Sequence, residues 1–331
     1  MGVSKDLNEN EIGVSVGTAG VLGLDQVPME TAPTTAYLML GGRCAMNCAF
    51  CAQGRESEAN ALYLSRVTWP NYPVEAVAAA LSRAAAAGTI KRACIQVTVS
   101  QASFLHTLQV LRTLKQASPG LPIDVAILPR DLGQVDELLA SGADHIGFGL
   151  DAASERVFEQ TKGGRWQVIF SLLEGAARRH PGQVAAHLII GLGETEREAV
   201  QLIQRLHDMG ATVGLFAFTP VRGTVMSERS APSLSAYRRV QAARELICRR
   251  RIRMDEFAFG HDGRLLHFGP VELDHVLVDG SAFRTTGCPD CNRPYYNERP
   301  GGVMYNYPRP LTEGEAHQAI VDLELVENGV A

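Results

Sequence analysis

The chain has 331 residues, 46 % of them hydrophobic and 20 % charged, with a net charge of −5, which is the make-up of a globular protein with ample core. The acidic balance and the lack of a long Lys/Arg block argue against nucleic acid as a partner. No apolar run reaches the roughly 18 residues of a membrane span and the first 30 residues lack a secretory-signal pattern, so the expectation is a cytoplasmic protein with no membrane partner.

Residues 1–34 read as a polar N-terminal leader, and the first expected strand is TAYLMLG (35–41). PVEAVAAALSRAAAAG (73–88) predicts a helix opened by Pro73 and closed by Gly88. The pattern then alternates. RACIQVTV (92–99), IDVAIL (123–128), DHIGFGLD (144–151), QVAAHLII (183–190) and TVGLFAFTP (212–220) predict strands. Helices are predicted over 104–114, 131–142, from residue 152 to about 179, over 194–210 and over 233–247. Six strand–helix units in succession imply a parallel sheet wrapped by right-handed crossovers. The fold class is therefore α/β, a partial (β/α)6 barrel over 35–255, too short a run to close. Residues 256–331, rich in Pro, Gly, Asn and Tyr around TTGCPDCNRPYYNERPGG, read as a C-terminal cap over one barrel end. Within it, Thr312 and Glu315 are spaced to cap a short helix.

Seven cysteines, an odd number, do not suggest a disulfide framework. Three of them, Cys44, Cys48 and Cys51, fall within eight residues, GGRCAMNCAFCAQGRES (41–57). They follow the first strand, at the carboxyl end where such barrels place their chemistry. Structural zinc wants four protein ligands. A four-iron cluster on three cysteines keeps one iron open to bind something else. Cys288 and Cys291 form a second clamp, GCPDC, on a Pro-containing turn, where a zinc knuckle is the competing reading. Cys248, in an Arg-rich helix, reads as a packed thiol. His187 shares a strand face with Ala185 and reads as a lumen or core histidine.

C-x3-C-x2-C after the first strand, with Phe50 before the last cysteine, resembles the radical S-adenosylmethionine (radical SAM) superfamily. That resemblance implies a 4Fe-4S cluster on Cys44, Cys48 and Cys51 whose open iron chelates S-adenosylmethionine. One-electron cleavage of that cofactor would then give a hydrogen-abstracting 5′-deoxyadenosyl radical. HLIIGLGET (187–195), GFGLDAASE (147–155) and FTPVRGT (218–224) are similar to the biotin synthase branch. By that resemblance Gly191, Gly193 and Glu194 approach the adenosine and Asp151 holds the ribose hydroxyls. The local alternative for Asp151 is a helix N-cap.

Biotin synthase also holds a second cluster deep in its barrel, with ligands from strands two, three and five and an arginine. Cys94 matches the first of these positions, but Ala126 and Ala185 occupy the next two and no matching arginine stands out in RMDEFAF (253–259). The tail, with its CxxC clamp, instead resembles one component of the two-component lipoyl synthases. That implies an auxiliary 4Fe-4S cluster on Cys94, Cys288 and Cys291, its fourth ligand open, with the tail folded over the barrel mouth. The expected activity is that of a radical SAM sulfurtransferase adding sulfur to a protein-bound octanoyl or mercaptooctanoyl chain, at C8 or C6. Implied partners are an octanoylated lipoyl carrier domain or H-protein, a sister lipoyl synthase component, and a ferredoxin- or flavodoxin-type electron donor. The alternatives are a biotin-synthase-like enzyme or mutase on another small substrate, and a non-enzymatic iron–sulfur or zinc protein.

Overall fold

The structure is a computed structural model and describes residues 10–298 and 301–326. Its strands are β1 (Glu11–Val14), β2 (Thr35–Leu40), β3 (Tyr63–Leu64), β4 (Val67–Thr68), β5 (Asn71–Pro73), β6 (Arg92–Val97), β7 (Ile123–Ala126), β8 (His145–Asp151), β9 (Val184–Ile190), β10 (Thr212–Ala217), β11 (Ala258–Phe259) and β12 (Leu265–His267). The main sheet runs β10-β9-β8-β7-β6-β2-β1-β5. Its six strands from β2 to β10 are parallel and in chain order, the expected partial (β/α)6 barrel. The strands are near-continuous apolar runs because helices cover their outer face.

Those helices are α2 (Val74–Ala86), α3 (Ser103–Ala117), α4 (Leu132–Ala140), α5 (Glu155–Thr161), α6 (Trp166–Arg179), α7 (Glu196–Asp208) and α8 (Leu234–Arg250). The expected single helix after β8 is split, because Gly163 and Gly164 take positive φ between α5 and α6. A capping box on Thr195 and Glu198 starts α7. The predicted Thr312–Glu315 box likewise opens a terminal helix over Glu313–Val321. Among the described residues no helix is long and apolar enough to cross a membrane.

Two departures from the sequence reading matter for the site. Residues 10–34 hold structure where none was expected. β1 pairs antiparallel with β2 and with β5, extending the barrel sheet on one side, and a one-turn-plus helix follows over Val16–Val21. Four residues of EIGV are too few for a periodicity to show.

The tail also enters from the end opposite to the one expected. Arg92 donates to the Pro289 carbonyl (2.9 Å), Thr34 Oγ1 to the Asp290 carbonyl (2.6 Å) and the Thr34 amide to Asn292 Oδ1 (3.0 Å). The CxxC turn therefore sits under the amino ends of the barrel strands. From there the chain climbs along the free edge of β10. Thr286 Oγ1 accepts from the Leu215 amide (2.8 Å), Arg293 donates to the Leu215 carbonyl (3.2 Å), and Asn297 reaches the Ala217 carbonyl (2.8 Å). These bonds satisfy the edge that an open barrel leaves unpaired. At the crossing Gly214 faces Gly287, where a Cβ on Gly214 would stand in ordinary contact, 3.5 Å from the Gly287 Cα.

α8 anchors the rest of the tail with arginines that its sequence would place in solvent. Arg238, 1 % exposed, donates to the Met304 and Tyr305 carbonyls at 2.6 Å. Arg239 forks onto Glu196 at 2.6 and 2.8 Å and reaches the Leu323 carbonyl at 2.7 Å.

Candidate active site

The barrel encloses a cavity of about 290 Å³. Six of the seven cysteines line it: Cys44, Cys48 and Cys51 from the loop after β2, Cys94 from β6, and Cys288 and Cys291 from the tail. The seventh, Cys248, is half-buried on α8 and packs against the core. Phe50 and Asp151 line the cavity as well.

The loop carrying the first triad folds on itself. The Cys51 amide donates to the Cys48 carbonyl (3.0 Å) and the Cys44 amide to the Gln53 carbonyl (2.8 Å). The Cys44 sulfur accepts the Val99 amide at 3.3 Å. Burial pushes the Cys48 thiol up to about 12, with the Lys162 ammonium pulling it back, and the Cys51 thiol up to about 11. All three thiols line the same cavity. In the metal-free protein Cys48 and Cys51 are protonated, and loading iron onto them must release protons.

Asp151 sits at the end of β8 with φ +64. The N-cap of the next helix is Ser154, so Asp151 is not spent on capping. Its carboxylate pairs with Lys162, which also donates to the Gly149 carbonyl. Lys162 is only 7 % exposed. Burial opposes its charge, but Asp151 and then Cys48 more than offset this and its pKa is raised. Nothing in the sequence singles out Lys162, because a lysine just after a helix ordinarily means solvent.

Gly191, Gly193 and Glu194 do not line the cavity. Gly191 (φ +107) turns beneath Pro232, whose ring a Cβ would meet at 2.8 Å. The Arg229 guanidinium packs over Gly193. Glu194 folds back to accept the Gly191 amide at 2.5 Å, and burial raises its pKa.

The second triad lies lower in the barrel. Register pairs Tyr37, Cys94, Asp124 and His145 across four adjacent strands. Asp124 is thus the neighbour of Cys94, whereas Ala126 belongs to the layer above, with Gln96, Gly147 and Ala185. The Tyr37 hydroxyl lies 3.5 Å from the Cys291 sulfur and accepts the Arg293 amide at 2.7 Å. Burial raises the Cys94 and Cys288 thiols, and in each the Asp124 carboxylate adds to the effect. Cys94, Cys288 and Cys291 line the same cavity. Two groups of three soft donors, each half-buried in the wall of one cavity, suit iron–sulfur clusters better than a hard cation.

Between the two triads, His187 and Arg293 face the cavity. The His187 ring meets Phe216 edge-on at 5.4 Å, and a Cβ on Gly147 would stand 3.2 Å from it. Burial, then Arg293, lower the His187 pKa to about 4, so the ring is neutral at physiological pH. Arg293, Tyr37 and Asp124 escaped the sequence reading. A lone aspartate inside the apolar run IDVAIL was the one available signal.

A family model described as the Radical SAM superfamily matches residues 38–206. The chain is 25 % identical over 187 residues to the lipoyl synthase of Polaromonas naphthalenivorans (strain CJ2), across 54 % of this chain and 52 % of that one. It is 28 % identical over 255 residues to the biotin synthase of Desulforudis audaxviator (strain MP104C), across 74 % of each. The chain spans about half the length of the lipoyl synthases it matches. In fold it resembles HydG, a maturase of the FeFe-hydrogenase, with a TM-score of 0.54 at 12 % identity, over 65 % of this chain and 50 % of that one. The family match takes in just over half of the chain, including the loop with Cys44, Cys48 and Cys51, and the chain belongs to the radical SAM superfamily.

Proposed function

We propose that the chain is a radical SAM sulfur-inserting enzyme, a lipoyl synthase component acting on a protein-bound octanoyl or mercaptooctanoyl chain. One observation carries this reading: two cysteine triads line one cavity, the first from the loop after β2 and the second from β6 and the CxxC turn beneath the amino ends of the strands. When bound, a cluster on Cys44, Cys48 and Cys51 would supply the electron that cleaves S-adenosylmethionine, and a cluster on Cys94, Cys288 and Cys291 would supply the sulfur.

The protein's own contribution is placement and exclusion of water. Asp151, held by Lys162, presents its carboxylate beside Cys48 and Cys51 for the ribose hydroxyls. Phe50 gives the same end an apolar wall. The cavity between the triads is mostly apolar, with Met39, Ile189, Phe216 and Leu128 among its lining. That suits an alkyl chain and keeps water from a reactive carbon centre. The CxxC turn covers the amino end, so an acyl chain on a carrier's lysine arm would enter at the carboxyl end. A biotin-synthase-like activity fits less well, because Ala126 and Ala185 leave the layer above Cys94 without donors.

The test uses anaerobically reconstituted full-length protein with a reductant, S-adenosylmethionine and an octanoyl-lysine carrier domain. The reading predicts 5′-deoxyadenosine and a carrier heavier by sulfur. Deoxyadenosine without sulfur on the carrier would move the chain to a different substrate within the superfamily.

A further inference from the structure

The Asp124 carboxylate is 3 % exposed and points into the cavity layer that holds Cys94. Its two oxygens are used differently. Oδ1 accepts from Arg92 Nη1 at 2.6 Å and faces His145 Nδ1 at 3.1 Å. Oδ2 is buried and has no hydrogen-bond partner. A buried carboxylate oxygen without a well-formed hydrogen bond is costly, so its retention calls for a partner, and the Cys288 thiol is the group close enough to feel the carboxylate. A carboxylate oxygen of Asp124, the Cys288 sulfur and a His145 nitrogen all lie within 4.8 Å of one another. Cys94 stands beside Asp124 in strand register, and side chains in register on parallel neighbours share a face.

Resting on the auxiliary-cluster reading above, we propose that Asp124 is the fourth protein ligand of the cluster held by Cys94, Cys288 and Cys291. Arg92 and His145 grip one oxygen and so aim the other, the arrangement by which outer partners orient a metal ligand. Arg92 ties the site together, because its Nε also holds the Pro289 carbonyl inside the CxxC turn. A hard carboxylate among soft thiolates is the weakest of the four attachments. An iron held by Asp124 would therefore be the most weakly attached, which would suit a cluster serving as sulfide donor. His145 is the competing ligand, but its Nδ1 is already directed at Asp124.

The test uses the full chain carrying Cys44→Ala, Cys48→Ala and Cys51→Ala, so that only the lower site can bind iron. After anaerobic reconstitution, iron and sulfide are counted, and electron paramagnetic resonance is recorded after mild oxidation. This background should hold about four irons; if it holds none, the auxiliary-cluster reading itself fails. Given four, Asp124→Ala and Asp124→Asn should each lose one iron and show a three-iron signal, and Asp124→Cys should keep all four. Loss of the whole cluster in the Ala and Asn variants, restored by Asp124→Cys, supports the assignment equally. Asp124→Ala with unchanged iron and spectrum would overturn it. So would an Asn variant that keeps four irons, a loss that Asp124→Cys does not restore, or His145→Ala opening the cluster in place of Asp124→Ala.

Discussion

Replacing Arg293 should release the tail from the barrel. Its guanidinium is 8 % exposed, donates to the Leu215 carbonyl at 3.2 Å and to the Thr286 carbonyl at 2.8 Å, and lies 3.6 Å from the centre of the Phe216 ring. A hydrogen bond from a charged donor contributes about 1.5–3 kcal/mol. A desolvated cation over an aromatic face contributes about 2 kcal/mol. Against these stands the cost of burying the charge, increased by an Nε with no partner. Arg293→Met also leaves the Leu215 and Thr286 carbonyls without this donor. A net loss of about 2–4 kcal/mol is expected for tail docking, mostly from two buried carbonyls left without a donor. Arg293→Lys keeps the charge but loses the planar fork and stack, and should cost about half as much. Hydrogen exchange reads this directly. Amides over 286–298 and at Leu215 should exchange roughly a hundred-fold faster in Arg293→Met, since each 1.4 kcal/mol is about tenfold. Unchanged protection there would refute the idea that Arg293 clamps the tail.

Three further outcomes follow from the same geometry. Lys162→Met strands the Asp151 carboxylate and should cost about 3–5 kcal/mol in denaturant unfolding, while adding Asp151→Asn should recover part of that loss. Gly223 has φ +85, and a Cβ there would stand 2.6 Å from the Ala59 amide nitrogen. Gly223→Ala should therefore destabilise the cysteine loop by about 1–3 kcal/mol, whereas Gly23→Ala, with open space around it, should pay only the backbone cost of about 1 kcal/mol. His187, lowered from 6.5 to about 4, stays neutral in the folded chain while the unfolded chain takes up a proton. Its contribution is thus full above about pH 6.5 and is lost as pH falls toward 4. Over that window wild type should lose up to about 3 kcal/mol more than His187→Phe in pH-dependent unfolding.

The parts of the molecule written in local periodicity were readable in advance. The barrel strands read as short apolar runs and the helices repeat at 3.6 residues, and Cys44, Cys48 and Cys51 are close enough in sequence to suggest one site unaided. What escaped depends on contacts between distant segments. Arg238 and Arg239 read as solvent charges because nothing local says that carbonyls of residues 304, 305 and 323 will cover them. The end of the barrel that the CxxC turn closes is set by the free edge of β10 and by Arg92, Thr34 and Tyr37, none of which forms a motif with the tail. The resemblance to biotin synthase pointed to Ala126 as the third-strand ligand position; the register sets Asp124 beside Cys94 and Ala126 beside Gln96. The GLGE glycines were readable as a tight turn, yet their neighbours are Pro232, Phe218 and Arg229, which only the folded chain brings together.

The central claim is that the two ends of the cavity each hold a cluster. The direct measurement is iron and sulfide per chain after anaerobic reconstitution, in wild type and in Cys288→Ala/Cys291→Ala. Two four-iron clusters require about eight irons in wild type, falling to about four in the double variant. About four irons in both would contradict the claim, removing the sulfur donor and leaving the CxxC turn as a structural clamp.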